Sequence, residues 1–168
     1  IGYLSLQSQT TGIKNVGVGY RAGGGGTTAN NCVFIGHDAG YYVGADGGEA
    51  NVAIGQNSMH GQSGAGETTA TNTSHNVAIG YQSLRTITAG GKNVAIGYQT
   101  GYNIGSSGGE SNVALGTQAL TGHASSFTGS YNFATGYSAM ESTTTGNYNI
   151  AFGYEALKTI TEGDKNIA

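Results

Sequence analysis

The sequences NVAIGYQS at residues 76–83 and NVAIGYQT at residues 93–100 repeat almost the same eight residues at an interval of 17. The glycine of this motif recurs along the chain at intervals of 17 to 25 residues, as Gly2, Gly19, Gly36, Gly55, Gly80, Gly97, Gly116, Gly136 and Gly153. We call these the anchor glycines. Such a repeat indicates a fold built by stacking copies of one small unit. Because the sequence starts and stops inside copies of the repeat, we expect residues 1–168 to form a single segment of a longer array.

Each copy begins with a short alternation of large and small residues. In the copy at Gly97, Val94 and Ile96 flank Ala95, and the other copies have a similar order. A period of two residues is typical of a β-strand with two different faces. We expect the Val and Ile side chains to form the core, and the small residue to allow close approach of another backbone.

The second half of each copy also has recognisable features. Tyr usually follows the anchor glycine, and an apolar residue such as Leu84 or Leu120 lies four positions after it. This apolar position predicts a second short strand. A Gly-x-x-Asn motif then leads into the next copy, and both residue types tolerate positive φ, which predicts a tight corner. Equivalent asparagines such as Asn76 and Asn93 could form a hydrogen-bonded ladder between copies.

A unit of 17 residues with strands and corners predicts an all-β fold, a parallel β-solenoid or β-roll. About nine to ten short coils would stack with the usual strand spacing of ~4.8 Å. Helical repeats are excluded, since no segment has a 3.6-residue apolar period and glycine interrupts every segment.

A longer period of 61 residues relates blocks of three copies, and the longest insertion lies at residues 56–75. Insertions at fixed places on a rigid rod are where solenoid proteins usually make contacts. The candidate ligand-contact residues in these insertions are Tyr41, Tyr42, Tyr102, His60, Glu67 and His75. The alternative for Tyr41 and Tyr102 is that they cover the rod where Gly40 and Gly101 replace the usual leucine.

Composition excludes several other classes of function. The net charge of −3 gives no basic surface for nucleic acid, and no apolar run reaches the ~20 residues of a membrane helix. The nine carboxylates form no evident catalytic pair, and two histidines beside one loop make an incomplete metal site. The GGGG run at residues 23–26 indicates a flexible loop, and the single Cys32 a small packed residue. We therefore expect no enzyme activity, no metal and no cofactor.

The repeat N-V-A-I-G-Y-Q-S/A-L…T-T-G-x-x-N resembles that of phage tail fibres, and it is similar to the head repeats of YadA-type trimeric adhesins. The resemblance implies a parallel homotrimer in an extracellular attachment fibre of a virion or cell surface. It also implies a host glycan or protein receptor as partner. A phage tail fibre is the first interpretation and a bacterial adhesin head the alternative. A non-catalytic tailspike fragment or an ice- or mineral-binding solenoid is less favoured.

The small amount of apolar material in each coil supports a trimer independently. Each 17-residue coil holds only about three large apolar residues, a thin core against an ordering entropy of about 1–2 kcal/mol per residue. Packing three copies together would bury further apolar surface.

Overall fold

The protein is described by a computed structural model that covers residues 1–46, 48–61, 70–71, 73–104, 109–122 and 127–168. The side chains of residues 44–46 and 70–71 are not described. Within these ranges the chain forms short strands joined by turns and contains no helix. The strands are β1 (Val16–Val18), β2 (Val33–Ile35), β3 (Val43–Asp46), β4 (Val52–Ile54), β5 (Ala70–Thr71), β6 (Val77–Ile79), β7 (Val94–Ile96), β8 (Val113–Leu115), β9 (Phe133–Thr135) and β10 (Ile150–Phe152).

Eight of the strands form one sheet in the order β1-β2-β4-β6-β7-β8-β9-β10, while β3 and β5 pair separately. Every pairing in the main sheet is parallel, and equivalent residues of the repeat lie opposite one another, as Ala95 lies opposite both Ala78 and Ala114. Each step from one strand to the next is therefore one coil of a parallel β-solenoid. The predicted all-β solenoid class is confirmed.

The predicted number of coils, nine to ten, is too high. The main sheet of the described residues has eight strands. The copy at Gly2 contributes no strand, and the copy that starts at Asn166 contributes only an isolated bridge between Ile167 and Ile150. An incomplete copy lacks the residues that close a coil, so it adds no full turn.

The predicted orientation of the strands is wrong. The central residue of each strand in the main sheet faces the core, and the flanking residues, mostly Val and Ile, face outward. This central residue is alanine in six of the eight strands, Gly17 in β1 and Phe34 in β2. Ala95 is 0% exposed, whereas its neighbour Ile96 is 39% exposed. The reason is the small size of the coil. Where an apolar residue such as Leu84 or Leu120 follows the anchor glycine, it fills the interior and leaves room only for a methyl group opposite it. Between Gly23 and Gly40, which replace this apolar residue, the strand contributes Phe34 instead.

A second strand does not form after each anchor glycine, contrary to the prediction. These residues form consecutive turns in which every second residue is left-handed, as for Gln82 (φ 55°) and Leu84 (φ 47°). The turn nevertheless delivers its apolar side chain to the core, since Leu84, Leu120 and Met140 are fully buried. A left-handed leucine has a local conformational cost, so packing decides this conformation.

The anchor glycines form a column in which backbones are in close contact. Their φ values lie between +122° and +140°, a region that favours glycine. A Cβ added to Gly97 would lie 2.5 Å from the carbonyl oxygen of Gly116, the anchor of the next coil. Both the conformation and the contact therefore require glycine.

Buried asparagines form the predicted ladder. The backbone N–H of Asn93 donates to Oδ1 of Asn76 at 2.9 Å, and Asn93 Nδ2 donates to the carbonyl of Gly109 at 3.0 Å. The corner differs from the prediction, because the left-handed residue is the one before the asparagine, Lys92 with φ 61°. Gly109 stays at the corner because an added Cβ would lie 2.7 Å from a carbonyl oxygen of the next coil.

Candidate functional site

The outward-facing residues of the main sheet form a continuous apolar surface. We define the outer face as the residues three and one positions before each anchor glycine from Gly19 to Gly153, together with the residue directly after it. These positions hold Val, Ile, Leu, Phe, Thr, Tyr, Gln and one His, with no Lys, Arg, Asp or Glu. Eight parallel strands give this face a length of about 34 Å along the stack, and its five-residue width is about 13 Å.

Many side chains of the outer face remain accessible in the single chain. Val16, Ile96 and Tyr98 are 48%, 39% and 49% exposed. Isolated exposed apolar residues are ordinary, but a contiguous apolar area on a rigid sheet marks an interaction surface. Because the strand orientation was predicted the wrong way round, this surface was not identified from the sequence.

The tyrosines of the outer face stack on one another along the rod. Tyr81 and Tyr98 have ring centroids 5.3 Å apart and Tyr137 and Tyr154 5.4 Å apart, with interplanar angles of 16° and 10°. Stacking follows from the parallel register, which places equivalent residues in neighbouring coils side by side. A stacked ring presents its edge and hydroxyl group outward, and its shared face is unavailable to a ligand.

A second feature surrounds Tyr41, one of the predicted contact residues. Arg21 donates two hydrogen bonds to Asp38, from Nε at 2.7 Å and from Nη2 at 3.0 Å. The Arg21 guanidinium also lies 4.4 Å from the centroid of the Tyr41 ring, within cation–π distance. His60 stacks beside the same ring with a centroid distance of 5.7 Å. We call Arg21, Asp38, Tyr41, Tyr42 and His60 the Tyr41 cluster.

The surroundings of His60 in this cluster favour its neutral form. Its ring contacts Tyr42 edge to face at 5.4 Å, and Nδ1 lies 2.9 Å from the carbonyl oxygen of Gly61. Burial is the main cause that lowers the pKa of His60 below its usual value, since it disfavours the imidazolium. The cluster therefore contributes packing and one charge-assisted pair, Arg21 with Asp38.

The GGGG run beneath the cluster is packed, so its interpretation as a flexible loop is wrong. A Cβ on Gly25 would lie 2.8 Å from the carbonyl oxygen of Tyr41, and one on Gly26 would lie 2.1 Å from that of Val43. Gly25 also donates its backbone N–H to the Tyr41 carbonyl at 2.8 Å. The glycines allow the backbone that carries both tyrosines to approach closely.

Tyr102 lies in a different coil and has its own cationic partner. Nη1 of Arg85 donates to the Tyr102 hydroxyl at 2.9 Å, and the guanidinium carbon lies 5.7 Å from the ring centroid. Nε of Arg85 is buried and has no hydrogen-bond partner among the described residues. Close beside Gly101, the branched side chain of Ile104 is fully buried and fills the core where other coils have leucine.

The predicted contact residues therefore do not form one site. Tyr41, Tyr42 and His60 pack together. His75 is exposed at the corner before β6, where its backbone N–H donates to the backbone carbonyl of Glu49. Glu67 lies outside the described residues. Both faces of Tyr41 are covered, which favours the alternative that this ring covers the rod. Sequence analysis overlooked Arg21 and Asp38, although their 17-residue spacing signals adjacency in neighbouring coils.

The described surface provides area for contact but no recognisable metal-binding group or pocket. No group of three or more His, Cys, Asp or Glu residues able to hold a metal ion occurs among the described residues, and no pocket is found there. The described part of the chain also has no helix of the length and apolar character needed to cross a bilayer. The geometry of these residues is suited to binding through shape and apolar contact along the outer face. Comparisons of the chain with protein-family models, curated proteins and solved structures each give no match.

Proposed function

We propose that this chain is a rod segment of an extracellular attachment fibre, most consistent with a phage tail fibre. In this proposal three parallel copies pack through their outer faces. The observation that carries it is the combination of a continuous parallel stack of coils with a mostly apolar face that has no Lys, Arg, Asp or Glu. Such a face would be an aggregation hazard on a free monomer and is expected where identical rods associate.

The hydrogen bonding of the coils supports a stiff rod. Coils are joined in the turns as well as in the strands: Leu84 N–H donates to the Thr100 carbonyl at 3.1 Å, and Gln99 N–H to the Tyr81 carbonyl at 2.9 Å. The buried asparagine ladder adds a further row of bonds between coils. A segment with this continuous bonding suits the mechanical role of a spacer in a fibre.

The small single-chain core supports association of several copies. Six of the eight main-sheet strands contribute only alanine to the core, so most coils depend on a few larger residues from outside the strand, such as Leu84, Ile104 or Phe127, and on small residues. Burying the outer-face Val, Ile and Tyr residues would add stabilisation of about 25 cal/mol per Å² of apolar surface. Three copies around one axis would cover these faces with no open edge between rods.

Contact with a host-surface glycan or protein is assigned to the insertions in this proposal. His75 is exposed and Tyr102 is half-buried. The longest insertion, which contains His60 and His75, is mostly polar. The Tyr41 ring is excluded as a stacking platform for sugars because Arg21 and His60 cover its two faces.

The assembly is tested by sedimentation equilibrium of the purified chain. The expected mass is about three times the chain mass of 16.9 kDa. A folded chain that sediments at 16.9 kDa at all concentrations would contradict association through the outer face.

The attachment role is tested by adsorption to candidate host cells and to a glycan array. The matched variant lacks residues 62–69, and circular dichroism should show that its fold is unchanged. We expect the intact assembly to adhere and the variant to adhere more weakly. An intact assembly that adheres to none of these surfaces would mean that this segment is only a spacer.

A further inference from the structure

The two coils around β9 and β10 differ from all the others on the outer face and at the corner that precedes the strand. Here Phe133 and Phe152 stand at positions that hold Val, Ile or Leu in β4, β6, β7 and β8. Tyr131 and Tyr148 stand at the corner position, directly before the ladder asparagine, where the preceding coils have His75, Lys92 and Ser111. We call Tyr131, Phe133, Tyr137, Tyr148, Phe152 and Tyr154 the aromatic end.

The aromatic end is highly exposed in the single chain. Tyr131, Phe133, Tyr137 and Tyr148, whose positions recur in a following coil, are 53%, 36%, 45% and 54% exposed. Together they equal about two whole side chains, or roughly 400 Å² at about 200 Å² for each aromatic residue. With the remaining exposed Val, Ile and Tyr of the outer face, the surface exceeds the roughly 800 Å² that each partner buries in a stable interface.

The middle of the outer face, by contrast, is nearly identical from coil to coil. Val77 and Ile79 are followed by Val94 and Ile96, and then by Val113 and Leu115 in the next coil. Two copies that pack through such a surface could slip by one coil, about 4.8 Å, and make almost the same contacts. The repeat itself therefore does not specify which coils of the copies lie at the same level.

We propose that the aromatic end sets the axial register of the parallel copies in the fibre. This inference rests on the proposed self-association and adds the determinant of its alignment. Only in register does each aromatic end lie against the aromatic ends of the other copies. A slip of one coil would bring the Tyr131 level of one copy to the Ser111 level of another, and the Phe133 position of one copy to the Val113 position of another.

Ring geometry favours a second copy of this chain over a sugar as the occupant. Tyr131 stacks on Tyr148 with a centroid distance of 5.0 Å and an interplanar angle of 3°, and Tyr137 stacks on Tyr154. Stacked rings offer edges to a partner, and edges pack well against the faces and edges of other aromatic side chains. A pyranose ring that stacks needs an open aromatic face, and stacking covers the shared faces of these pairs.

The test uses two cysteine variants in adjacent coils, Ile79→Cys and Ile96→Cys, carried on differently tagged chains that are co-expressed. Residues 79 and 96 lie opposite one another within the sheet, so a mixed cross-link between chains reports a slip of one coil. Cys32 is buried and does not interfere. Oxidation is performed in the native background and in one that carries Tyr131→Lys, Tyr148→Lys and Phe152→Ile, residue types found at equivalent positions in other coils.

In the native background we expect 79–79 and 96–96 products and a mixed product at least tenfold less abundant. In the substituted background the mixed product should reach a similar abundance. Tyr20→Gln, a change at the opposite end of the outer face to the residue type of Gln56, is the matched control and should leave the products unchanged.

Three results would overturn the inference. They are abundant mixed product in the native background, unchanged register in the substituted one, and a trimer whose equivalent cysteines never cross-link. If the triple variant does not fold, the single Phe152→Ile variant is used, with a smaller but detectable rise in mixed product expected. A native chain of 16.9 kDa would instead refute the proposed self-association.

Discussion

Replacing Cys32 by asparagine should stabilise the protein. Cys32 occupies the position of the ladder asparagine in its coil and interrupts the row of buried amides. The Asn51 N–H contacts only its sulfur, at 3.4 Å, whereas the N–H of Asn76 donates to Oδ1 of Asn51 at 3.0 Å. An asparagine at position 32 would offer an oxygen acceptor to Asn51 and an amide donor to the carbonyl of Gly48, now 3.9 Å from the sulfur.

The size of the effect follows from the bonds gained and the packing lost. Two or three neutral hydrogen bonds formed in a buried site contribute about 1 kcal/mol each. Loss of the buried thiol, which packs as a small apolar group, offsets about 1 kcal/mol of this gain. We therefore expect a net gain of about 1–2 kcal/mol, which raises Tm by about 3–6 °C in a chain of this length.

Thermal unfolding followed by far-ultraviolet circular dichroism, at one fixed chain concentration, measures this gain. The reciprocal variant Asn93→Cys is the matched control, since it should interrupt the ladder in a coil where it is continuous. That variant should lose about 1–3 kcal/mol, because it leaves buried donors with only a sulfur acceptor. If Cys32→Asn lowers Tm, or if Asn93→Cys leaves it unchanged, the ladder does not stabilise the coils in the way described.

Further predictions concern the glycine column, a repacked coil and pH. Gly97→Ala should lower the free energy of unfolding by more than about 3 kcal/mol. Gly153→Ala should lower it less, because Gly153 has nearly the same φ but no described atom within 4 Å of an added Cβ. Equal losses of Tm in the two variants would refute the argument from backbone contact. Phe34→Ala should lower the free energy of unfolding by about 3–5 kcal/mol. Adding Gly40→Leu should recover part of this loss, because an added Cβ at Gly40 would lie 2.1 Å from the Phe34 ring, so a leucine there would fill the space that the ring leaves. A double variant less stable than Phe34→Ala in chemical denaturation would contradict this coupling. The pKa of His60 is lowered in the folded chain, so the unfolded chain binds more protons at this residue, and the free energy of unfolding should fall as pH drops below about 6.5. His60→Gln should weaken this pH dependence. Identical pH profiles for the variant and the native chain would refute the role of His60.

The features that depend on stacking equivalent residues were predictable from the sequence. Parallel register follows from the repeat alone, since only that arrangement brings Asn76 beside Asn93 and one anchor glycine beside the next. The solenoid class and the asparagine ladder were therefore predicted correctly. The same reasoning applied to the 17-residue spacing would also have found the pair of Arg21 and Asp38.

The direction in which the strand faces was not predictable from its alternation alone. A period of two shows that a strand has two faces, but it does not show which one is inside. The usual rule places the larger side chains in the core. Here the interior of a short coil already holds Leu84 and Ile104, so it accepts Ala95 and leaves Ile96 outside. The space inside a coil depends on its diameter, which is set by the complete coil and cannot be read from the strand sequence alone.

The most direct test of this account compares Ala95→Asp with Ile96→Asp. The two variants place the same charge on adjacent residues, one with its side chain in the core and one on the outer face. Circular dichroism at 20 °C and neutral pH should show that Ala95→Asp has lost its β-structure, because burying an unpaired carboxylate in the core costs several kcal/mol. Ile96→Asp should keep the β-structure of the single chain and weaken only the association of copies. A folded Ala95→Asp beside an unfolded Ile96→Asp would contradict the strand orientation, and with it the outer face on which the proposed assembly depends.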